Sequence, residues 1–421
     1  MKNLITLLSL YVSIIVFPQI VSADDMMRVQ LVNHVGQTST LEFELEGKYF
    51  TLDPTMSLEE DVTYTLTLHK DKLVLKGKEE TYTIQESFML IPKSYDEQHI
   101  IRVNDRPYLG AIEMKLEGKE YIRPVNQLPL EDYLKGVVPF EVFPSWGLET
   151  LKAQALAART YAASHMDKVI DDTISYQVYG GYTWSEQTTK AVNETKGEVI
   201  TYNDNLIDAY YSASNGGMTE TNAHVWGGKP LNYFPIKKDP YDPIHPWEFS
   251  LEETQIELEK INFDASNWWE QIEEKDKQIT ASMKRWLNRN GYPGDIKILS
   301  IPQFELSKTK LDSQRRVKGS ITIEFLQRLF DGTILFQQMK AEGIKLNRIR
   351  PMIGGDVFKS YLIDSLDFEG NTYTMKGRGY GHGVGMSQWG AYVMGDKGKT
   401  YKEIIEFYYP KTTISKLGKD N

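Results

Sequence analysis

A mixed α+β fold, rich in sheet, is what the sequence predicts, and three observations predict it. Residues from Met26 to about Ile91 alternate apolar and polar with period two. An Ala-rich segment after Pro144 repeats its apolar residues with helical spacing. A charged, helix-patterned stretch from Ser250 to Asp295 then interrupts further alternating sequence. The expected division is residues 1–23 as a secretory signal, 24–98 as a small β-rich region, and 99–421 as a larger domain with a helical insertion at about 250–295.

The first residues, "MKNLITLLSLYVSIIVFPQIVSADD", carry Lys2, an apolar run from Leu4 to Phe17, and small residues Val21-Ser22-Ala23. This order is that of an export signal, with an uncleaved anchor as the alternative. No later segment has the length and apolarity of a membrane span. In the β-rich region Leu41, Phe43 and Leu45 share one strand face. Tyr64, Leu66 and Leu68 do the same, and after a charged turn so do Leu73 and Leu75. More strands are expected from Arg102 onward. The Ala-rich helix follows, with Ser145 as its expected N-cap and Leu148, Leu151, Ala155, Ala158 and Ala162 as its buried face. Ser250 with Glu253 reads as a capping box opening the helical insertion, and Ile296 to Phe336 alternates again.

The net charge of −10 argues against nucleic acid and anionic lipid as partners, since both call for basic patches. The chain has no cysteine, which removes thiol nucleophiles and cysteine-based zinc sites. Its seven histidines are scattered and form no H-E-x-x-H pattern, so no metal or other cofactor is expected.

Three stretches stand out. In "GVVPFEVFPSW" the carboxyl of Glu141 sits between Pro139 and Pro144, ringed by Val137, Val138, Phe140, Val142 and Phe143. Read as a proline-clamped loop, it either desolvates Glu141 and raises its pKa, as a general acid needs, or points it to solvent from a turn. In "GRGYGHGVGMSQWGA", Gly377 to Ala391, glycines alternate with Arg378, Tyr380, His382, Val384 and Met386. An extended chain would leave one face bare backbone, for a ligand or for a tightly packed neighbouring strand. The spacing is not that of a dinucleotide loop. In "YYSASNGGMTETNAHVWGG", Tyr210 to Gly228, hydroxyls, amides and Trp226 interleave, a mixture suited to carbohydrate. The nucleophile elbow of serine hydrolases is absent from it.

These three stretches, in this order, resemble the SpoIID/LytB family of bacterial cell-wall proteins, with "NQLPLEDYLKGVVPFEVFPSWGLETLKAQALAARTYA" as its opening block. The likeness spans about Arg102 to Tyr409 and leaves the β-rich region before about residue 98 outside. It implies a SpoIID-like catalytic domain and a lytic transglycosylase that cuts peptidoglycan glycan strands, with Glu141 as its catalytic residue. Arg159, Ser212, Tyr380, His382 and Gln388 fall in matching motifs and are expected to position the sugar. Glu131 and Asp132 are expected to be structural, although a hydrolase using one as a second carboxylate stays open. Some family members bind zinc through cysteine and histidine, and without cysteine no metal carries over here. Others are described as modifiers of an N-acetylmuramoyl-L-alanine amidase, so the alternative the resemblance implies is a wall-binding amidase enhancer. A purely structural wall-binding module is a third reading. The expected place of action is extracytoplasmic, at the cell wall.

Overall fold

The computed structural model describes residues 26–418, so the expected signal at 1–23 lies outside the described residues. The fold is mixed α+β with several separate sheets. It divides into two compact units. One comprises the described residues up to Tyr133 together with His165–Asp172, and the other comprises Leu134–Ser164 and the chain from Thr173 onward.

The first unit holds two six-stranded sheets. The alternating sequence builds them as expected. Thr40–Glu46 pairs antiparallel with Thr63–His69, which pairs with Lys72–Lys76. Leu41, Phe43, Leu45, Leu66, Leu73 and Leu75 are all buried. Phe43 faces Tyr64 across the ladder with rings stacked at 5.2 Å. Hydrogen bonding carries this unit past residue 98: Ile100–Val103 pairs with Thr40–Glu46, and Ala111–Glu117 bridges Ser87–Pro92 and Tyr121–Pro129. The short strand Val169–Asp171 joins Met26–Gln30 in parallel. Beside it the buried Asp172 carboxylate accepts the N–H groups of Val32 and Asn33 at 2.7 and 2.6 Å, which fastens this excursion of the chain.

Nine helices occur among the described residues: α1 (Leu130–Glu141), α2 (Leu148–Ala163), α3 (Glu186–Glu194), α4 (Asn222–Trp226), α5 (Trp268–Gln271), α6 (Lys277–Arg289), α7 (Leu346–Ile353), α8 (Gln388–Asp396) and α9 (Tyr401–Tyr408). None is long and apolar enough to cross a membrane. The Ala-rich segment is α2, but its cap is Gly147 and not Ser145, because Ser145 lies in the turn closed by the Trp146 N–H on the Phe143 carbonyl. Nor does α2 bury one stripe only. Twelve of its sixteen residues are buried, since α8, α9 and the strand Glu198–Tyr202 surround it. Its alanines let these neighbours approach from several sides at once.

A second core in the same unit is built on the three-stranded sheet Asp295–Leu306, Lys318–Arg328 and Ile334–Lys345. Ile279, Met283 and Leu287 of α6 recur every four residues and pack on Ile296, Ile298 and Phe325. Ser250 opens no helix. It lies within the strand Pro246–Glu252, opposite Thr374. The alternation of Trp247, Phe249 and Leu251 into the core outweighs the local capping pattern there.

Candidate functional site

Glu141 is the last residue of α1, so the proline-clamped loop expected around it is in fact a helix with Pro139 inside its final turn. Pro139 has no N–H to give the preceding turn, and the helix stops two residues later. The segment Val178 to Gly181 lies directly against α1. Gly136 makes this possible: a Cβ there would stand 2.5 Å from the Gly181 carbonyl oxygen. Gly180 does the same from the other side, where a Cβ would stand 1.8 Å from the Phe140 ring. The Gly180 N–H then bonds the Gly136 carbonyl at 2.9 Å.

This approach delivers the Val178 N–H to Glu141 Oε1 at 2.8 Å. Two further groups bond the carboxyl, the side chains of Gln388 and Tyr211. The Gln388 amide also donates to the Glu141 carbonyl at 3.1 Å, which ties α8 to the end of α1. Behind Tyr211, the buried Gln177 amide donates to the phenolic oxygen at 3.0 Å, leaving the phenolic hydrogen for Glu141. Burial raises the Glu141 pKa to about 7 despite these three hydrogen bonds, each of which lowers it. The residue keeps some contact with solvent, so the proton can be exchanged. The carboxyl is therefore poised between acid and base at neutral pH. Glu131 and Asp132 sit at the opposite end of α1. At about 1.5 Å per residue they are about 14 Å away along the helix axis. Paired glycosidase carboxyls stand only about 5–9.5 Å apart.

His382 approaches the same tyrosine from its backbone side. Its Nδ1 accepts the Val384 N–H at 3.0 Å, which places the proton on Nε2, and the ring bonds the Tyr211 backbone. Burial and then the Arg315 charge push its pKa down to about 4, so the imidazole is neutral at pH 7. Trp226, half exposed, meets the His382 ring at 4.9 Å and Tyr210 at 4.4 Å.

The glycine-rich segment around His382 is not an extended strand with a bare face. The strand Thr372–Arg378 includes Gly377, the first of the series, and beyond it Gly379, Gly381, Gly383 and Gly385 all take positive φ, between 72° and 110°. Glycine recurs at every second place because the chain enters the left-handed region there. All four positions also admit close neighbours, two of them most tightly. A Cβ on Gly383 would lie 2.0 Å from the Arg315 guanidinium, and one on Gly385 would lie 2.0 Å from the Tyr210 carbonyl oxygen. Val384 and Met386 consequently point into the core, apart from Arg378 and Tyr380.

A family model described as "Stage II sporulation protein" matches residues 118–202, the stretch that holds Glu141, α2 and Val178. The chain is 37% identical over 385 residues to the amidase enhancer of Bacillus subtilis (strain 168), covering 90% of this chain and 53% of that protein. It is 31% identical over 326 residues to an uncharacterized protein of Brachyspira hyodysenteriae (strain ATCC 49526 / WA1), covering 75% of this chain and 74% of that one. It is also 29% identical over 317 residues to stage II sporulation protein D of Bacillus subtilis (strain 168), covering 69% and 76%. The chain belongs to the SpoIID/LytB family. It spans about half the length of the amidase enhancer it matches.

The residues singled out by the SpoIID/LytB motifs fall into two groups. Gln388 and His382 gather near Glu141, one bonded to it directly and one through Tyr211. Ser212 lies against the glycine series, its hydroxyl accepting the Gly383 N–H at 3.2 Å. Arg159 and Tyr380 do not join them. Arg159 is fully buried and donates to Thr195 Oγ1 and the carbonyls of Val192 and Glu198, so it clamps α3 and the following strand and has no surface for a sugar. Tyr380 gives its hydroxyl to Asp356 at 2.8 Å, beneath the Lys359 ammonium.

Several polar residues of the middle SpoIID/LytB motif, Ser214, Asn215, Thr219 and Glu220, are turned inward. Ser214 and Ser387 both donate to the buried Asp242 carboxylate, at 2.8 and 2.6 Å, and Asn215 donates to Asp239 at 2.7 Å. Trp226 alone among the large residues of that motif is half exposed. Sequence reading missed Tyr211, Gln177 and Val178. Tyr211 was within reach, standing beside Ser212 in a motif already singled out. The Val178 contribution is a main-chain N–H, which no side-chain pattern signals. Among the described residues no cluster of potential ligands could hold a metal ion.

Proposed function

We propose that this protein is a peptidoglycan lytic transglycosylase acting outside the cytoplasm at the cell wall. The observation that carries the reading is the Glu141 carboxyl, raised to about 7 by burial and held only by neutral donors. A group in that state can donate a proton and take one back, which is what a single-carboxyl mechanism requires. Glu141 protonates the glycosidic oxygen between MurNAc and GlcNAc. The bond from the muramyl C1 breaks, and its electron pair leaves with that oxygen. The C6 hydroxyl of the same muramyl ring then bonds C1 while ionised Glu141 removes its proton. The products are a free GlcNAc 4-hydroxyl and a 1,6-anhydro-MurNAc end. Tyr211, Gln388 and the Val178 N–H stabilise the carboxylate during its ionised interval, and neutral His382 fixes Tyr211 without competing for the proton. The 37% identity to a protein named amidase enhancer favours a second reading, in which the chain binds the wall and stimulates an amidase.

Mass spectrometry of soluble products from purified glycan strands, with and without stem peptides, separates these readings. Anhydro-muramyl ends from wild type and none from Glu141→Gln are expected. Reducing ends would mean hydrolysis with a second carboxylate. No product from either protein, with amidase activity raised on addition, would replace the proposal by the enhancer reading.

A further inference from the structure

We propose that Phe143, Trp389 and His245 form a sugar-stacking subsite contiguous with Glu141, taking a pyranose ring of the glycan strand. The inference rests on the reading above and assigns part of its substrate grip. Phe143 lies two residues after Glu141 and is 58% exposed. Trp389 follows Gln388, the residue whose amide bonds Glu141. The Phe143 and Trp389 rings lie 6.0 Å apart, both resting on Trp146 at 5.6 and 5.0 Å. Both segments that set the carboxyl therefore also set the shelf.

The third ring is placed at a cost. Ile244 and His245 have φ of 71° and 43°, left-handed values that a β-branched residue rarely adopts. The Gly379 N–H bonds the carbonyls of both, at 2.8 and 3.1 Å, and Asp242 accepts the Ile244 N–H at 2.7 Å. This strained turn brings the His245 ring to 4.9 Å from Trp389. Strain held in place by several bonds marks a built surface. A shelf of rings exposed at Phe143 and partly exposed at Trp389 and His245 suits the apolar face of a sugar better than a peptide, which would need backbone partners.

The test uses the full chain. Binding of peptide-free glycan strands is measured on Glu141→Gln protein by tryptophan fluorescence, alone and combined with Phe143→Ala, Phe143→Trp or the remote control Phe330→Ala. Taking about 50 Å² of apolar ring face out of water corresponds to about tenfold in affinity. Phe143→Ala is expected to weaken binding about tenfold, Phe143→Trp to restore it, and Phe330→Ala to leave it unchanged. In the cleaving protein Phe143→Ala should raise KM and leave kcat within twofold. Unchanged binding and KM in Phe143→Ala would overturn the subsite while cleavage stood. Binding that depends on Phe143 in a protein that releases no product would support the subsite and remove the transglycosylase reading.

Discussion

Glu141 and Glu220 are two enclosed carboxyl groups of the same unit, and their surroundings differ in one respect. Glu220, 1% exposed, faces a cation: Arg315 stands 4.0 Å away, itself buried, and His224, Ser313 and the Thr221 N–H complete the shell. Arg315 in turn donates to the carbonyls of Asn215 and Met218, so the pair pins the loop beneath Gly383. Glu141 has neutral donors only. A carboxylate closed in with a guanidinium serves as a rivet. One closed in with amides and a hydroxyl can change form without breaking the fold, which is the property a proton donor needs.

The largest effect expected is on the neutral side of this comparison. Glu141→Gln should lower glycan cleavage by at least about 10³-fold, near the upper range for a general acid, with its melting curve unimpaired. Product mass spectrometry and calorimetry on the same sample check this. Next comes the ionic side. Arg315→Met leaves Glu220 buried without its cation and should cost about 3–5 kcal/mol of stability in a denaturant titration. Adding Glu220→Gln should recover part of that loss, because the stranded charge is then removed. Full additivity of the two would break the comparison.

A smaller effect follows from linkage. The folded-state pKa of Glu141 lies above its ordinary 4.5, at about 7. Between those values the folded chain binds more protons than the unfolded one, so this group's contribution falls as pH rises through that window. Glu141→Gln lacks the loss. It should exceed wild type in stability by on the order of 2 kcal/mol at about pH 8 and match it near pH 4.5. Activity should decline over the same rise through about pH 7, since the acid must be protonated. The smallest effect is expected for Tyr211→Phe. It removes a bond that lowers the Glu141 pKa, so the alkaline limb of the pH–rate profile should move upward, with the maximal rate changed less than about tenfold.

Much of the local structure was legible. Period-two alternation placed Leu41, Phe43 and Leu45 inside correctly, because a strand's two faces depend on residue order alone. The Ala-rich segment was legible as a helix for the same kind of reason. Boundaries were not. Pro139 suggested a loop where the chain continues helically, and Ser250 suggested a cap where partner strands claim the backbone. Arg159 looked like a ligand-binding arginine because sequence shows its charge and not the carbonyls of Val192 and Glu198 that absorb it.

By itself the sequence determined that this chain is a sheet-rich α+β protein of a recognisable family, and it singled out Glu141 and the alternating glycines. Those follow from residue types and spacings, which act over a turn or a strand. Only the tertiary structure decided what Glu141 is. Its pKa depends on what replaces water around it, and the replacing groups come from positions 178, 211 and 388. The glycines likewise acquired their meaning from Arg315 and Tyr210, which lie beside them in space and far from them in the chain. Desolvation and close approach are properties of assembled volume, and a chain acquires volume only when it folds.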